Sequence, residues 1–221
     1  AVFKSADGGA TWVQTGNLTD ALHVYSLMQA SDGTIYAGAS ITGPFIYGLL
    51  FKTTDNGTTW EIATPYYAGN YVGAMALLQS TSGVLYSASG DFGRGFMLKS
   101  TDSGATWSAL TLTGTRTLSS MLQSGGVLYA GEAPTYGIAR VLKSTSGWAT
   151  WAATGYLDLA SVRSLLEYNG ALYAGGAGGI FKSANGGATW ARTGELTGAK
   201  EVNSLLRSGS DILAGTSPSG D

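Results

Sequence analysis

The chain has 221 residues, 44% of them hydrophobic and 12% charged, with a net charge of −2 and no cysteine. This balance excludes a disordered chain, disulfide or thiolate chemistry, and the basic footprint of a nucleic-acid binder. No apolar run reaches the length of a membrane-spanning helix, so membrane insertion is not expected. No signal peptide opens the chain, and a start at Ala1 rather than Met reads as a mature form, an excised domain or a trimmed form. The 34 glycines follow no collagen period and sit between β-rich runs, which is a turn-dense all-β composition.

In chain order, Val2-Phe3-Lys4 is a short strand, and Ser5-Ala6-Asp7-Gly8-Gly9-Ala10-Thr11-Trp12 turns it into the next. Thr15 to Ala21 reads as a polar loop, and His23-Val24-Tyr25-Ser26-Leu27-Met28 as a strand. Ala30-Ser31-Asp32-Gly33 supplies a turn and Thr34-Ile35-Tyr36-Ala37-Gly38 a second strand. A long loop through Pro44 leads to a third strand, Leu50-Phe51-Lys52, and the turn recurs as Thr53 to Trp60 before a fourth strand, Thr59-Trp60-Glu61-Ile62.

The four-strand sequence then repeats. First-strand cores are Ser26-Leu27-Met28, Ala76-Leu77-Leu78, Ser120-Met121-Leu122, Ser164-Leu165-Leu166 and Ser204-Leu205-Leu206. Second strands are Ile35-Tyr36-Ala37-Gly38, Leu85-Tyr86-Ser87-Ala88, Leu128-Tyr129-Ala130-Gly131, Leu172-Tyr173-Ala174-Gly175 and Ile212-Leu213-Ala214-Gly215, the last followed by a Ser-Pro-Ser-Gly tail. The tryptophan-to-tryptophan steps, from Trp12 through Trp60, Trp107 and Trp151 to Trp190, are 48, 47, 44 and 39. Four short strands in a period near the forties predict β-propeller blades.

The chain opens at a third strand and ends after a second, so the two half-blades are predicted to join. This gives a single domain over 1–221, a five-bladed β-propeller of four-stranded antiparallel blades. Its units are approximately 17–64, 65–112, 113–155, 156–194, and 195–221 joined with 1–16. Closure removes the open sheet edges that invite aggregation. A piece of a six- or seven-bladed ring is the alternative.

Three turns, Ser5 to Trp12, Thr53 to Trp60 and Ser100 to Trp107, carry the pattern Ser/Thr-x-Asp-x-Gly-x-Thr-Trp in full. The fifth, Ser183 to Trp190, has Asn185 in place of the acid; the fourth, Ser144 to Trp151, has Ser146 there, with Gly147 and Trp148 disturbing the turn. The pattern resembles the Asp-box, or bacterial neuraminidase repeat, found in sialidase-like propellers. The resemblance covers all five repeats. It implies that the turn joins third and fourth strands on the face opposite the ligand funnel, in a secreted or surface-exposed bacterial protein.

The turn has a physical reading without chemistry. A short side-chain acceptor takes backbone N–H bonds in its own turn, glycine supplies φ > 0, and the tryptophan anchors the hairpin on the neighbouring sheet. Asp7, Asp55, Asp102 and Asn185, with Trp12, Trp60, Trp107, Trp151 and Trp190, are therefore structural. A metal cluster of the three aspartates is not expected, and neither is a cofactor.

Spacing places recognition elsewhere. The step from Lys4 to Trp12 and its four equivalents is always 8, and first strand to second is 8 or 9. Second strand to third varies from 9 to 16, and fourth strand to the next first from 14 to 17. In an up-and-down blade the variable connections share one end, and loops on a rigid scaffold usually carry function. This end carries Phe45, Tyr47, Tyr66, Tyr67, Tyr71, Phe92, Tyr136 and Tyr156, with Asp91, Arg94, Arg116, Glu132 and Asp158. Aromatic platforms with a few polar groups suit a glycan or a peptide segment, and the same aromatics also suit mutual packing over the blade tops. The candidate ligand residues are Phe45, Tyr47, Tyr67, Tyr71, Phe92, Arg94, Tyr136 and Arg163. Arg163, on an inner strand, either meets an anion or pairs with Glu167 or Glu201; pairing is the favoured expectation.

A sialidase needs three arginines on the substrate carboxylate, a Tyr–Glu nucleophile pair and an acid. The resemblance implies six blades and an Arg-Ile-Pro segment for such an enzyme. This chain has no such segment, and of its six arginines only Arg163 lies on an inner strand. A single His23 excludes a histidine metal cluster, and no G-x-S-x-G motif occurs. The expectation is a non-catalytic binding or interaction module. A glycoside hydrolase or lyase using Asp91, Glu132 or Asp158 is the alternative, beside a ligand-free assembly scaffold or an engineered ring. Oligomeric state is left open.

Overall fold

A computed structural model describes the backbone of residues 1–41, 47–64, 71–91, 94–112, 115–134 and 137–218. Of Tyr47, residues 71–73, Asp91, Arg94 and residues 110–111 it describes the backbone alone. Every described strand pairing is antiparallel, as short alternating runs joined by tight glycine turns dictate. The chain divides into two compact units, Ala1–Thr111 and Leu112–Asp221.

The first unit begins with a two-stranded hairpin, β1 (Phe3–Lys4) and β2 (Val13–Gln14). Two four-stranded meanders follow in sequence order. The first is β3 (Ala21–Gln29), β4 (Ile35–Ile41), β5 (Tyr47–Thr53) and β6 (Glu61–Ile62). The second is β7 (Tyr71–Gln79), β8 (Leu85–Asp91), β9 (Arg94–Ser100) and β10 (Ser108–Thr111). The other unit mirrors this plan, with two meanders and then a hairpin. Its strands are β11 (Leu118–Ser124), β12 (Val127–Glu132), β13 (Arg140–Ser144) and β14 (Ala152–Tyr156), then β15 (Ser164–Tyr168), β16 (Ala171–Gly176), β17 (Gly179–Ser183) and β18 (Ala191–Arg192). The closing hairpin is β19 (Ala199–Ser208) and β20 (Asp211–Pro218).

The register repeats with the sequence. The second-strand tyrosine faces the third-strand lysine in each meander: Tyr36↔Lys52, Tyr86↔Lys99, Tyr129↔Lys143 and Tyr173↔Lys182. Small residues on the second strand let adjacent sheets approach. A Cβ on Gly38 would stand 2.2 Å from the Ala74 carbonyl oxygen, and one on Gly131 would stand 2.7 Å from that of Val162. First-strand serines then bridge sheets: Ser26 donates to the Ala74 carbonyl at 2.9 Å and Ser120 to that of Val162 at 2.9 Å. Apolar cores fill the space between sheets. One joins Val2, Leu18, Ala37, Leu49 and Phe51; in the other unit one joins Tyr129, Val141, Leu157, Val162, Leu172 and Phe181.

Strand ends at the variable side depart from expectation. Where a long loop through Pro44 is expected, β4 runs on to Ile41 and β5 starts at Tyr47; residues 42–46 lie outside the described set. Tyr47, Tyr71, Asp91, Arg94, Glu132 and Tyr156 are strand residues, not loop residues. The expected tail after Gly215 is likewise strand through Pro218, where Ala199 pairs with Pro218. In each case backbone pairing with an already ordered partner outweighs the local turn signals.

Candidate functional site

The repeated turns are locally complete. In the first, the Ser5 hydroxyl donates to Asp7 Oδ1 at 2.7 Å and accepts from the Gly9 N–H at 2.7 Å, while Thr11 donates its N–H to Oδ1 at 2.9 Å and its hydroxyl to Oδ2. Asp55 and Asp102 repeat this pattern with Thr53 and Thr59, and with Ser100 and Thr106. Bonds from the threonine at the turn's far end and from the leading serine or threonine hold the three carboxyls far below the usual range, Asp102 at about 2. Each carboxylate has both oxygens committed inside its own turn.

The two divergent copies show what the turn requires. Asn185 Oδ1 accepts from the Thr189 N–H at 2.9 Å and from the Ser183 hydroxyl at 2.9 Å, and its amide donates to the Thr189 hydroxyl at 2.8 Å. Ser146 accepts from the Thr150 N–H at 2.9 Å. An oxygen acceptor suffices and charge is dispensable. In the fourth copy Trp148 stands at φ 84, where its counterparts Gly57, Gly104 and Gly187 have φ 84, 78 and 86. A left-handed non-glycine residue costs about 1–2 kcal/mol. Trp148 is 2% exposed and meets Trp151 edge-on at 4.7 Å. Burying an indole contributes about 4–6 kcal/mol at ~25 cal/mol/Å² over ~150–250 Å², so burial outweighs the strain.

Tryptophans also join neighbouring sheets. Trp60 Nε1 donates to the Thr15 hydroxyl at 3.2 Å and Trp190 Nε1 to that of Thr154 at 3.1 Å. Trp60, Trp107, Trp151 and Trp190 are half-buried, whereas Trp12 is 62% exposed and bonds to its own Gly9 carbonyl.

At the variable end, Phe45, Tyr67, Phe92 and Tyr136 lie outside the described residues, and the side chains of Tyr47, Tyr71 and Arg94 do as well. Backbone register sets Asp91 opposite both Tyr71 and Arg94, and Tyr47 opposite Ile41. Arg163 is paired: it meets Glu201 at 3.2 Å, Asn203 Oδ1 at 3.3 Å and the Ser161 hydroxyl at 3.3 Å. These contacts are the pairing that the sequence favours for Arg163, and its side chain remains 45% exposed.

Glu132, one of the carboxylates of the hydrolase alternative, is sealed. It is fully buried, takes Arg140 in a two-point pair at 2.7 and 2.8 Å, and accepts the Arg116 backbone N–H at 3.0 Å. A buried, doubly paired carboxylate presents no solvent-exposed oxygen. Sequence reading missed Arg140 as its partner, although opposite charges at the two ends of one short β12–β13 connection were the available signal. Asp158 is exposed. Beside this pair Tyr156, opposite Arg140 in the β13–β14 register, is 76% exposed and Ile138 is 52% exposed. Among the described residues no three His, Asp or Glu side chains converge as a metal set.

This geometry coincides with that of known proteins at the level of fold. No protein-family model matches the chain, and no curated protein matches it. The Hadza microbial sialidase Hz136 is similar with a TM-score of 0.58 at 16% identity, over 82% of this chain and 49% of that one. Trypanosoma rangeli sialidase in complex with the inhibitor DANA gives 0.60 at 14% identity, over 85% and 42%. A chain of the nidogen/laminin complex gives 0.64 at 10% identity, over 87% and 72%. The chain thus spans about half the length of the sialidases it matches. The fold is the β-propeller type that sialidases share, with four four-stranded and two two-stranded antiparallel sheets among the described residues. At these identities the likeness concerns fold alone.

Proposed function

We propose that the chain is a closed five-bladed ring serving as a non-catalytic recognition module. It takes a glycan or a protein segment on the variable end of its sheets, at the surface of or outside a bacterial cell, without a cofactor. The observation that carries this reading is the contrast between the ends of the sheet β11–β14. Its box end is consumed by internal hydrogen bonds and buried indoles, while its variable end presents Tyr156 and Ile138 to solvent beside Arg140. Exposed aromatic surface next to fixed polar groups is what a sugar ring or a peptide side chain stacks on. The sealing of Glu132 and the pairing of Arg163 favour binding over hydrolysis. Likeness to sialidases makes glycans the first ligand class to test.

The test is a glycan array with a parallel pull-down, comparing the native chain with Tyr156→Ala and with a Phe45→Ala/Tyr47→Ala/Tyr67→Ala variant. The proposal predicts a native signal weakened at least about tenfold in one or both variants, the loss of about 1.4 kcal/mol of contact. Identical profiles for the three proteins would overturn it.

A further inference from the structure

One position of the repeat varies inside a fixed frame. The first strands read Val24-Tyr25-Ser26, Ala74-Met75-Ala76, Leu118-Ser119-Ser120, Val162-Arg163-Ser164 and Val202-Asn203-Ser204. The flanking residues are structural. Ala74, Leu118, Val162 and Val202 are buried, while Ser26, Ser120 and Ser164 bond across to the next repeat. The middle residue stands at a bulge. Tyr25, Ser119 and Asn203 are the extra residues where the register shifts, and Arg163 sends its N–H to the carbonyl of Gly175, the residue that Ser164 faces. A bulge unpairs one residue and re-aims its side chain, so each such strand presents a side chain that the frame does not dictate.

Within residues 112–221 two of these side chains meet. Arg163 Nη1 donates to Asn203 Oδ1 at 3.3 Å, Nη2 lies 3.3 and 3.2 Å from the Glu201 carboxylate oxygens, and Nε donates to the Ser161 hydroxyl at 3.3 Å. Asn203 Nδ2 is steadied by the Ser217 hydroxyl at 2.6 Å, and Glu201 by its backbone bridge to Ala177. Arg163 closes the β14–β15 connection and Ala177 lies in the β16–β17 connection, so the cluster stands at the variable end. It is open. The Arg163 and Glu201 side chains are 45% and 30% exposed, and Asn203 is exposed. The pair Arg140–Glu132, by contrast, is closed at 2.7 and 2.8 Å around a fully buried carboxylate. Among the described residues, the contacts of the open cluster take three of the five guanidinium N–H groups and one of the two on the Asn203 amide.

We propose that Arg163, Glu201 and Asn203 form a subsite for two adjacent hydroxyls of an uncharged sugar ring. A hydroxyl both donates and accepts. The cluster offers carboxylate oxygens for its protons beside guanidinium and amide N–H groups for its lone pairs. Charge selects the ligand class. The Glu201 carboxylate, 3.2 Å from the guanidinium, cancels the cation and repels an anionic ligand, so an acidic sugar meets no net positive charge here. Because both charged groups keep solvent contact, a hydroxyl enters these long bonds without stranding a buried ion. The subsite rests on the recognition reading proposed above and deepens it by naming the sugar class and the polar groups that hold it.

The experiment prints neutral and sialylated glycans on one array and compares the full chain with Arg163→Met, Asn203→Ala and Glu201→Gln, each checked by thermal melt. Expected is a native signal stronger on neutral than on sialylated glycans. It should fall at least about tenfold in Arg163→Met, the worth of hydrogen bonds from a charged donor. Asn203→Ala should lower it severalfold, and Glu201→Gln should raise the sialylated-to-neutral ratio by leaving the Arg163 charge uncancelled. Arg163→Lys, which keeps the charge without the planar fork, should also lose the neutral signal and stands in if the methionine variant does not fold. A native signal on sialylated glycans at or above that on neutral ones, or a neutral signal unchanged in these variants, overturns the subsite. A protein pull-down that depends on Tyr156, with no glycan bound, keeps the recognition module and overturns the subsite. Neutral-glycan binding lost in Arg163→Met yet unchanged in Tyr156→Ala and in the Phe45→Ala/Tyr47→Ala/Tyr67→Ala variant supports the subsite and overturns the aromatic site.

Discussion

The two units solve one structural problem with different chemistry. Residues 1–111 turn all three of their boxes with a carboxylate: Asp7, Asp55 and Asp102. Residues 112–221 turn both of theirs without one, using Ser146 and Asn185. The hydrogen bonds nonetheless correspond: a side-chain oxygen accepts the N–H of the threonine four residues on at 2.9 Å in every copy. The difference teaches that the box uses an acceptor and not a charge. A catalytic or metal-binding role would need the charge, which is why the proposed binding surface lies at the other end of the sheets.

The units differ also in where ionised groups are placed. In residues 112–221 a glutamate is buried and matched by Arg140; in residues 1–111 the equivalent second-strand positions hold Ala39 and Ser89. Removing one partner strands a buried carboxylate. Arg140→Met is therefore expected to cost about 3–5 kcal/mol. Urea unfolding measures this, and amide exchange should locate the loss in residues 112–221. A near-neutral result would mean that Glu132 is not sealed and would reopen the hydrolase alternative.

A smaller contrast separates the fourth box from the glycine boxes. Trp148→Ala is expected to lose about 3 kcal/mol, because the buried ring goes and the strained backbone stays. Trp148→Gly recovers about 1 kcal/mol of that by restoring a residue at ease at φ 84. Thermal melts of the pair decide the point, and an alanine variant at least as stable as the glycine one would show that the turn is unstrained.

Much of this plan is legible in the residues themselves. The constant step from lysine to tryptophan marks a hairpin with no slack, and the tyrosine-lysine register follows from it. The strand limits at the variable end are not legible. A long loop through Pro44 is what the residues suggest, yet pairing of Tyr47 with Ile41 extends the strands to those two residues, as pairing of Arg94 with Asp91 does in the next sheet. Glu132 reads as a surface charge because its partner Arg140 lies eight positions on, at the far end of the β12–β13 connection. Ser26 and Ser120 read as filler in apolar strands, since a hydroxyl's target on another sheet leaves no periodic trace. Of the aromatics of the predicted site, Tyr47 and Tyr71 lie on strands, and Phe45, Tyr67, Phe92 and Tyr136 lie outside the described residues.

The smallest expected effect bears on the central claim, that the carboxylates serve the turns alone. Hydrogen bonds lower the three folded-state carboxyl pKa values below the unfolded value of about 3.9. As pH falls below about 4, the unfolded chain binds protons that the folded turns refuse. The stabilisation is thus complete above about pH 4 and is lost on descent toward about pH 2, the value at Asp102. The direct measurement is the melting temperature from pH 7 to pH 2 for the native chain and for Asp7→Asn/Asp55→Asn/Asp102→Asn. The account predicts a variant that is folded at pH 7, with asparagine acting as Asn185 does, and whose decline below pH 4 is much flatter than that of the native chain. A variant unfolded at neutral pH, or one whose acid decline matches the native curve, would contradict it.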